Sequence, residues 1–299
     1  MTLSQYKITM PNVMNTVKSC LICAFLCTWF CLQALAADID GEETGSSEKS
    51  ETSIDAFVEI GLSLGTSKLP LIGFNEKDSI EESTDATNYL DILVDGRFLY
   101  KKFFIEFFDN TFSNITFGYT LTESENGNIE LIGTNLFFKV ERKNVPGLES
   151  IKDRKDDFNL GLRSSIFSGN NIAQFELMTN VTSSHSGVVG SMQVGRQKQI
   201  RNWNLLGIAG VRYFSDDVVD YYIGVPSDEA SETVEEYKGK AGFMPSFQVE
   251  ATLPLSERWI FKAQAEYSLI PDSFADSPLA QGDVAYAFRT SIGYVFGNP

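Results

Sequence analysis

Few residues of this chain could do chemistry. Its single histidine, His185, stands in Ser183-Ser184-His185-Ser186. A Ser–His neighbourhood invites a hydrolase reading. However, a nucleophile, its base and the acid that orients the base normally come from separate elements, and adjacent residues do not reach that geometry. His185 therefore reads as a polar turn residue, and the chain is not expected to be an enzyme. The four cysteines (Cys20, Cys23, Cys27, Cys31) all fall in the first 31 residues. The rest of the chain has one His and no Cys, which excludes a conventional His/Cys zinc cluster. No phosphate loop or dinucleotide fingerprint follows a strand, so no cofactor is expected. Acids gather at Glu76, Asp78, Glu81 and Glu82, at Asp216, Asp217 and Asp220, and at Asp228, Glu229, Glu232, Glu235 and Glu236. Such oxygen ligands suit Ca²⁺ or Mg²⁺, but EF-hand spacing is absent. Solvated loops at a charged cell surface are the plainer reading, and no metal site is assigned.

A second polar set is regular. Asp91, Asp95, Arg97, Lys139, Glu141, Arg163, Glu176, Arg212, Lys240, Glu250, Lys262, Glu266 and Arg289 each sit in an alternating stretch, opposite an apolar face. Period-2 alternation is the mark of a strand with one greasy face. Both signs are mixed, which fits a cross-strand ion-pair network in a narrow lumen, or the lining of a small aqueous pore.

The elements that carry these charges read as twelve strands of about ten residues: Ile54–Gly65, Tyr89–Tyr100, Phe103–Phe108, Asn114–Leu121, Leu131–Arg142, Phe158–Phe167, Gln174–Thr182, Val188–Gln197, Trp203–Phe214, Tyr237–Ala251, Trp259–Leu269 and Tyr286–Phe296. Without the Phe103–Leu121 hairpin the count is ten. A soluble sandwich also alternates. Two features favour a membrane barrel instead. The length matches a tilted spanning strand, and aromatics end the apolar faces (Trp203 and Tyr213, Trp259 and Tyr267, Tyr286 and Phe296) as interfacial girdles do. Alternate connections are long and short, the asymmetry of an outer-membrane barrel with both termini in the periplasm. In hydrocarbon every N–H and C=O needs a partner, so the sheet must close. The fold class is all-β, a closed antiparallel transmembrane β-barrel.

The start of the chain reads as an export signal over 1–36. Lys7 and Lys18 precede an apolar run from Cys20 to Leu32, and Ala34-Leu35-Ala36 is a cleavage box before Ala37. Residues 37–53, ADIDGEETGSSEKSETS, form an acidic flexible leader. The barrel is then 54–296, with a tail at 297–299. A net charge of -16 argues against nucleic acid. The expected partners are outer-membrane lipid and the barrel assembly machinery, which would read Tyr294 and Phe296 as a C-terminal assembly signal.

Three stretches, Tyr221-Tyr222-Ile223-Gly224-Val225, Leu255-Ser256-Glu257-Arg258-Trp259 and Ala275-Asp276-Ser277-Pro278-Leu279, stand in an order and spacing that resembles the MltA-interacting protein / outer membrane protein V (MipA/OmpV) family. The resemblance covers about Ile54 to Phe296 and is strongest after His185. Such chains usually finish at the terminal aromatic, whereas Gly297-Asn298-Pro299 follows Phe296 here. The resemblance implies a Gram-negative outer-membrane barrel, exported and non-enzymatic. It also implies a scaffold role, joining a murein lytic transglycosylase to a penicillin-binding synthase. Other members are adhesins, and the mixed-charge lumen leaves a small-solute channel as the alternative.

Overall fold

The computed structural model describes residues 54–72, 86–107, 115–136, 140, 142, 145–182 and 184–297. The cleavage pair Ala36 and Ala37, the leader 37–53, the charges Lys139 and Glu141, and residues 298–299 lie outside them.

Twelve antiparallel strands close into one barrel in chain order: β1 (Ile54–Lys68), β2 (Thr87–Tyr100), β3 (Phe103–Phe107), β4 (Ile115–Ser124), β5 (Gly127–Thr134), β6 (Asn159–Ser168), β7 (Asn171–Asn180), β8 (Val188–Ile200), β9 (Trp203–Phe214), β10 (Gly242–Pro254), β11 (Trp259–Leu269) and β12 (Val284–Gly297). The ten-strand alternative falls, because β3 and β4 pair with each other and with both flanking strands. The ring shuts where β12 pairs β1, with Ile292 opposite Leu62 and Phe296 opposite Val58.

Side-chain alternation sorts the two faces. Leu90, Ile92, Leu62, Phe103 and Phe247 are among the exposed large apolar residues of the outer surface, with Leu90 at 75%. In water so wide a belt would associate; in lipid it is the matched face. Aromatic clusters edge it at both ends. Trp259, Tyr294 and Phe296 stack in sequence at one end, and Tyr213 meets Phe243 at the other. Among the described residues no helix is long and apolar enough to cross a membrane.

The two ends of the barrel differ. At one end the connections are 101–102, 125–126, 169–170, 201–202 and 255–258. At the other they are 69–86, 108–114, 135–158, 181–187, 215–241 and 270–283. Among the described residues the long-loop end carries two helices, α1 (Asp216–Ile223) and α2 (Asp272–Ala275). Both chain ends of the barrel leave from the short-turn end.

The fifth strand departs from its expected span. It ends at Thr134, not at Arg142. Leu136 and Val140 continue the apolar alternation, but they are buried inside the long-loop cap. Alternation cannot tell lipid from a dry core, since both solvents accept the same side chains.

Candidate functional site

The barrel interior has two layers, a charged belt across the middle and a dry cap above it at the long-loop end. The belt begins on β1, β2 and β11. Lys262 pairs with Glu59, and its Nζ stands 3.2 Å from Asp95 Oδ2. Glu59 is buried against Gly293, where any Cβ would overlap its carboxylate. Further round, two guanidiniums hold three carboxylates. Arg97 Nη2 donates to Glu130 Oε1 at 3.1 Å, and its Nε lies 3.5 Å from Glu106. Arg163 reaches Glu106 at 2.8 Å, Glu176 at 3.0 Å and Glu130 at 3.4 Å. Ser191 Oγ donates to the second oxygen of Glu176 at 3.1 Å.

The Phe104 ring lies beneath both guanidiniums, 4.7 Å from Arg97 and 6.0 Å from Arg163. Gly118 on the neighbouring strand leaves the space the ring occupies. Charges this enclosed are tolerable only when paired and hydrogen-bonded, and the belt supplies that pairing strand by strand.

The other expected lumen charges divide. Arg212 is half-buried on β9 and interacts with Glu176 and Glu266. Arg289 Nη2 donates to Gln264 Oε1 at 2.8 Å, and Glu250 accepts from Thr252 Oγ1 at 3.1 Å. Asp91 is exposed near the long-loop end of β2, where its Oδ1 accepts from the Ile92 N–H at 2.7 Å. Lys240 is a correction: it is exposed in the 215–241 connection and belongs to no strand, because β10 begins at Gly242. Sequence reasoning missed Glu59, Glu106 and Glu130. The signal was present as a lone acid within an apolar run, in Val58-Glu59-Ile60, Ile105-Glu106-Phe107 and Ile129-Glu130-Leu131.

The cap is built around α1. Val218, Val219, Tyr222 and Ile223 are buried among the lumen residues Phe104, Ile132, Met178, Val189, Phe214, Met244 and Ala285. An eight-residue helix is too short to stand alone in water, and its last carbonyls have no intrahelical partner. Here each of them is answered from another loop. Arg154 Nε donates to Tyr221 O at 2.7 Å, and Arg142 Nη2 to Tyr222 O at 2.6 Å. Ser277 Oγ donates to Ile223 O at 2.7 Å, and Arg154 Nη2 reaches Gly224 O at 3.4 Å. Two cations at a helix C-terminus also match its partial negative charge, and α1 has no basic residue of its own in that turn.

Arg154 is itself fixed by a two-pronged pair with Glu229, at 2.9 and 3.3 Å. Arg142 Nε donates to Ile72 O at 3.0 Å. Burial pushes the Arg142 guanidinium down to about 9, with nearby Arg154 adding to the effect, so it keeps its charge at neutral pH. Two of the three stretches that carry the family resemblance thus meet in the cap, Ser277 on Ile223 and Leu279 in one core with Val225.

His185 belongs to the cap rather than to a solvated turn. Its side chain is 2% exposed and lies against the rings of Tyr221 and Tyr222. The Gly187 N–H donates to Nδ1 at 3.1 Å, so the ring proton is on Nε2 and points to Asp157 Oδ2, 3.2 Å away. Burial pushes the Asp157 carboxyl up, but hydrogen bonds from His185, Asn159 and the Leu136 N–H, with the Tyr222 hydroxyl, outweigh it and hold the group below its ordinary range. Burial, and then Asp157, drive the Tyr222 phenol far above its own. With Nδ1 committed to a backbone N–H, the imidazole has no free nitrogen for a nucleophile. Among the described residues no group of three or more His, Cys, Asp or Glu side chains could hold a metal ion.

The sequence profile described as MltA-interacting protein MipA matches residues 72–296. Over 118 residues the chain is 27% identical to the putative outer membrane protein YiaT of Escherichia coli K12, which covers 39% of this chain and 48% of that protein. It is 22% identical over 191 residues to outer membrane protein OmpV of Vibrio cholerae, covering 64% of this chain and 69% of that one. It is also 22% identical over 162 residues to the MltA-interacting protein of Escherichia coli K12, with coverages of 54% and 65%. The chain therefore spans about half the length of YiaT and about two thirds of the other two. A closed barrel with a lipid-facing belt, in a chain similar to these outer membrane proteins, places this chain in the outer membrane, and it belongs to the MltA-interacting protein (MipA) family.

Proposed function

We propose that this protein is a non-enzymatic interaction barrel that works through its two ends rather than as an open channel. The observation that carries this reading is α1. It fills the long-loop mouth with side chains that are 0–1% exposed (Val218, Val219, Tyr222, Ile223), above a belt whose charges are paired. A permanent aqueous path would need a polar, water-filled interior open at both mouths. In this reading the short turns and both chain ends face the periplasm, and the leader 37–53 reaches toward the wall. The partner class is a murein lytic transglycosylase, supported by the name of the Escherichia coli relative; a penicillin-binding synthase as second partner rests on family analogy alone.

Pull-down of a purified murein lytic transglycosylase by the detergent-extracted barrel tests the scaffold. Binding above that of an unrelated barrel is expected, and equal recovery would sink it. Planar-bilayer recording separates the channel reading. The intact barrel should show no conductance steps, whereas deleting 216–240 should open them. Steady steps from the intact barrel would favour the channel.

A further inference from the structure

Below the charged belt the lumen does not stay filled. At the short-turn end a cavity of about 350 Å³ opens between the inner faces of β1, β2, β4 and β5. That volume lies at the lower end of the roughly 300–1,000 Å³ of small-molecule sites, and its lining is mostly polar. One wall is apolar: Phe57 is 40% exposed on the inward face of β1, and Leu99 stands beside it on β2. The cationic side is Arg97 at the base with Lys102 and Lys101, the whole β2–β3 turn, at the lip, where the Lys101 ammonium rests 5.5 Å from the centre of the outward Tyr100 ring.

The acids of the cavity do not cancel these cations equally. Glu130 is already bound by Arg97, Arg163 and the Asn128 amide. Glu123 is exposed at the rim. The two lysines therefore face at most one free carboxylate. Arg97 commits Nη2 to Glu130, yet its side chain remains 35% exposed toward the opening. In a chain with a net charge of -16, a cationic lip around an apolar wall is the exception that needs a reason.

We infer that this mouth is a binding site for a small organic anion, a carboxylate on a compact apolar body. The anion meets Lys102 and Lys101 above the charge of Arg97, and the body lies on Phe57 and Leu99. The lysine ammoniums supply donors for the carboxylate, and the apolar wall gives its body a dry surface. The belt above closes the pocket, so ligand enters and leaves on the short-turn side. The site does not depend on a scaffold role, and its failure would leave that role standing.

The probe is benzoate, measured by calorimetry on the full-length barrel in a neutral detergent, with empty micelles as blank. Neutral benzamide and cationic benzylamine share its body and test the charge. Benzoate should saturate with a Kd of about 1 mM, and the other two should bind at least roughly tenfold more weakly. Lys101 has φ 57, in the left-handed region, where Gly169 sits at the matching place of the β6–β7 turn. Lys101→Gly therefore removes the charge while relieving backbone strain, so loss of binding would not reflect loss of fold. Combined with Lys102→Gln it should weaken benzoate about tenfold. The proposal is overturned by equal binding of benzamide and benzoate, by an unchanged Kd in the double variant, or by no saturation up to about 10 mM.

Discussion

The two ends of this barrel meet opposite problems with the same strands. The long-loop end is dry. Its helix is held by packing and by side chains that answer every carbonyl from Tyr221 to Gly224. The short-turn end is wet: Lys101, Lys102 and Glu123 at its mouth are exposed, and Arg97 at the base of the cavity keeps 35% of its side-chain surface open. Polar residues are therefore costly at one end and cheap at the other. A buried cation with one carboxylate partner has nothing to replace that partner. A charge at a wet mouth has water.

The largest effect on this contrast is expected from Glu229→Ala. It strands Arg154 in the cap, and removing one member of a buried pair costs about 3–5 kcal/mol. Hydrogen exchange of the α1 amides should accelerate about a hundredfold or more, while the amides of β10 and β11 stay protected. Uniform acceleration would mean that cap and barrel are one cooperative unit.

Gly293→Ala attacks the belt instead. The new methyl group displaces Glu59 from its niche and disturbs Lys262 and Asp95, at about 1–3 kcal/mol for overpacking. The transition from the heat-resistant to the unfolded gel form should move down, with α1 exchange unchanged. A shift in α1 exchange would show that belt and cap are coupled.

Acid should loosen the cap by less. Asp157 is held below its ordinary 3.8 in the folded state. The stability it contributes is complete above about pH 3.8 and is lost as pH falls through the lower folded value. Exchange of α1 should therefore be flat from neutral pH to about 4 and rise below that, once the intrinsic pH dependence is removed. In Asp157→Asn the rise should be smaller, leaving the part due to the Arg154–Glu229 pair. A rise already at pH 6 would take the sensitivity away from Asp157.

The smallest effect is expected at the seam. Removing residues 297–299 should leave assembly intact, because only the last β1–β12 partner pair, Phe57 with Gly297, is lost with them. Phe296→Ala should lower the folded yield, as expected if Tyr294 and Phe296 serve as the assembly signal. The reverse ranking would place the signal in the tail.

Alternation in Trp259-Ile260-Phe261-Lys262-Ala263-Gln264 already says that Lys262 and Gln264 share one face and that Trp259 and Phe261 share the other, because successive Cβ atoms point oppositely along a strand. Strand count, loop asymmetry and the inward set Asp95, Arg97, Arg163, Glu176, Lys262 and Arg289 were legible for that reason. Leu136 and Val140 misled, since a dry cap and a lipid belt select the same residues. A closed barrel with charges inside can be read from the order of residues alone, through a local rule that needs no distant contact. The convergence of Arg142, Arg154 and Ser277 on α1, and the sharing of one arginine by Glu106, Glu130 and Glu176, exist only in the folded chain. Those contacts join residues up to 80 positions apart, and no local pattern records which loops a folded chain brings together.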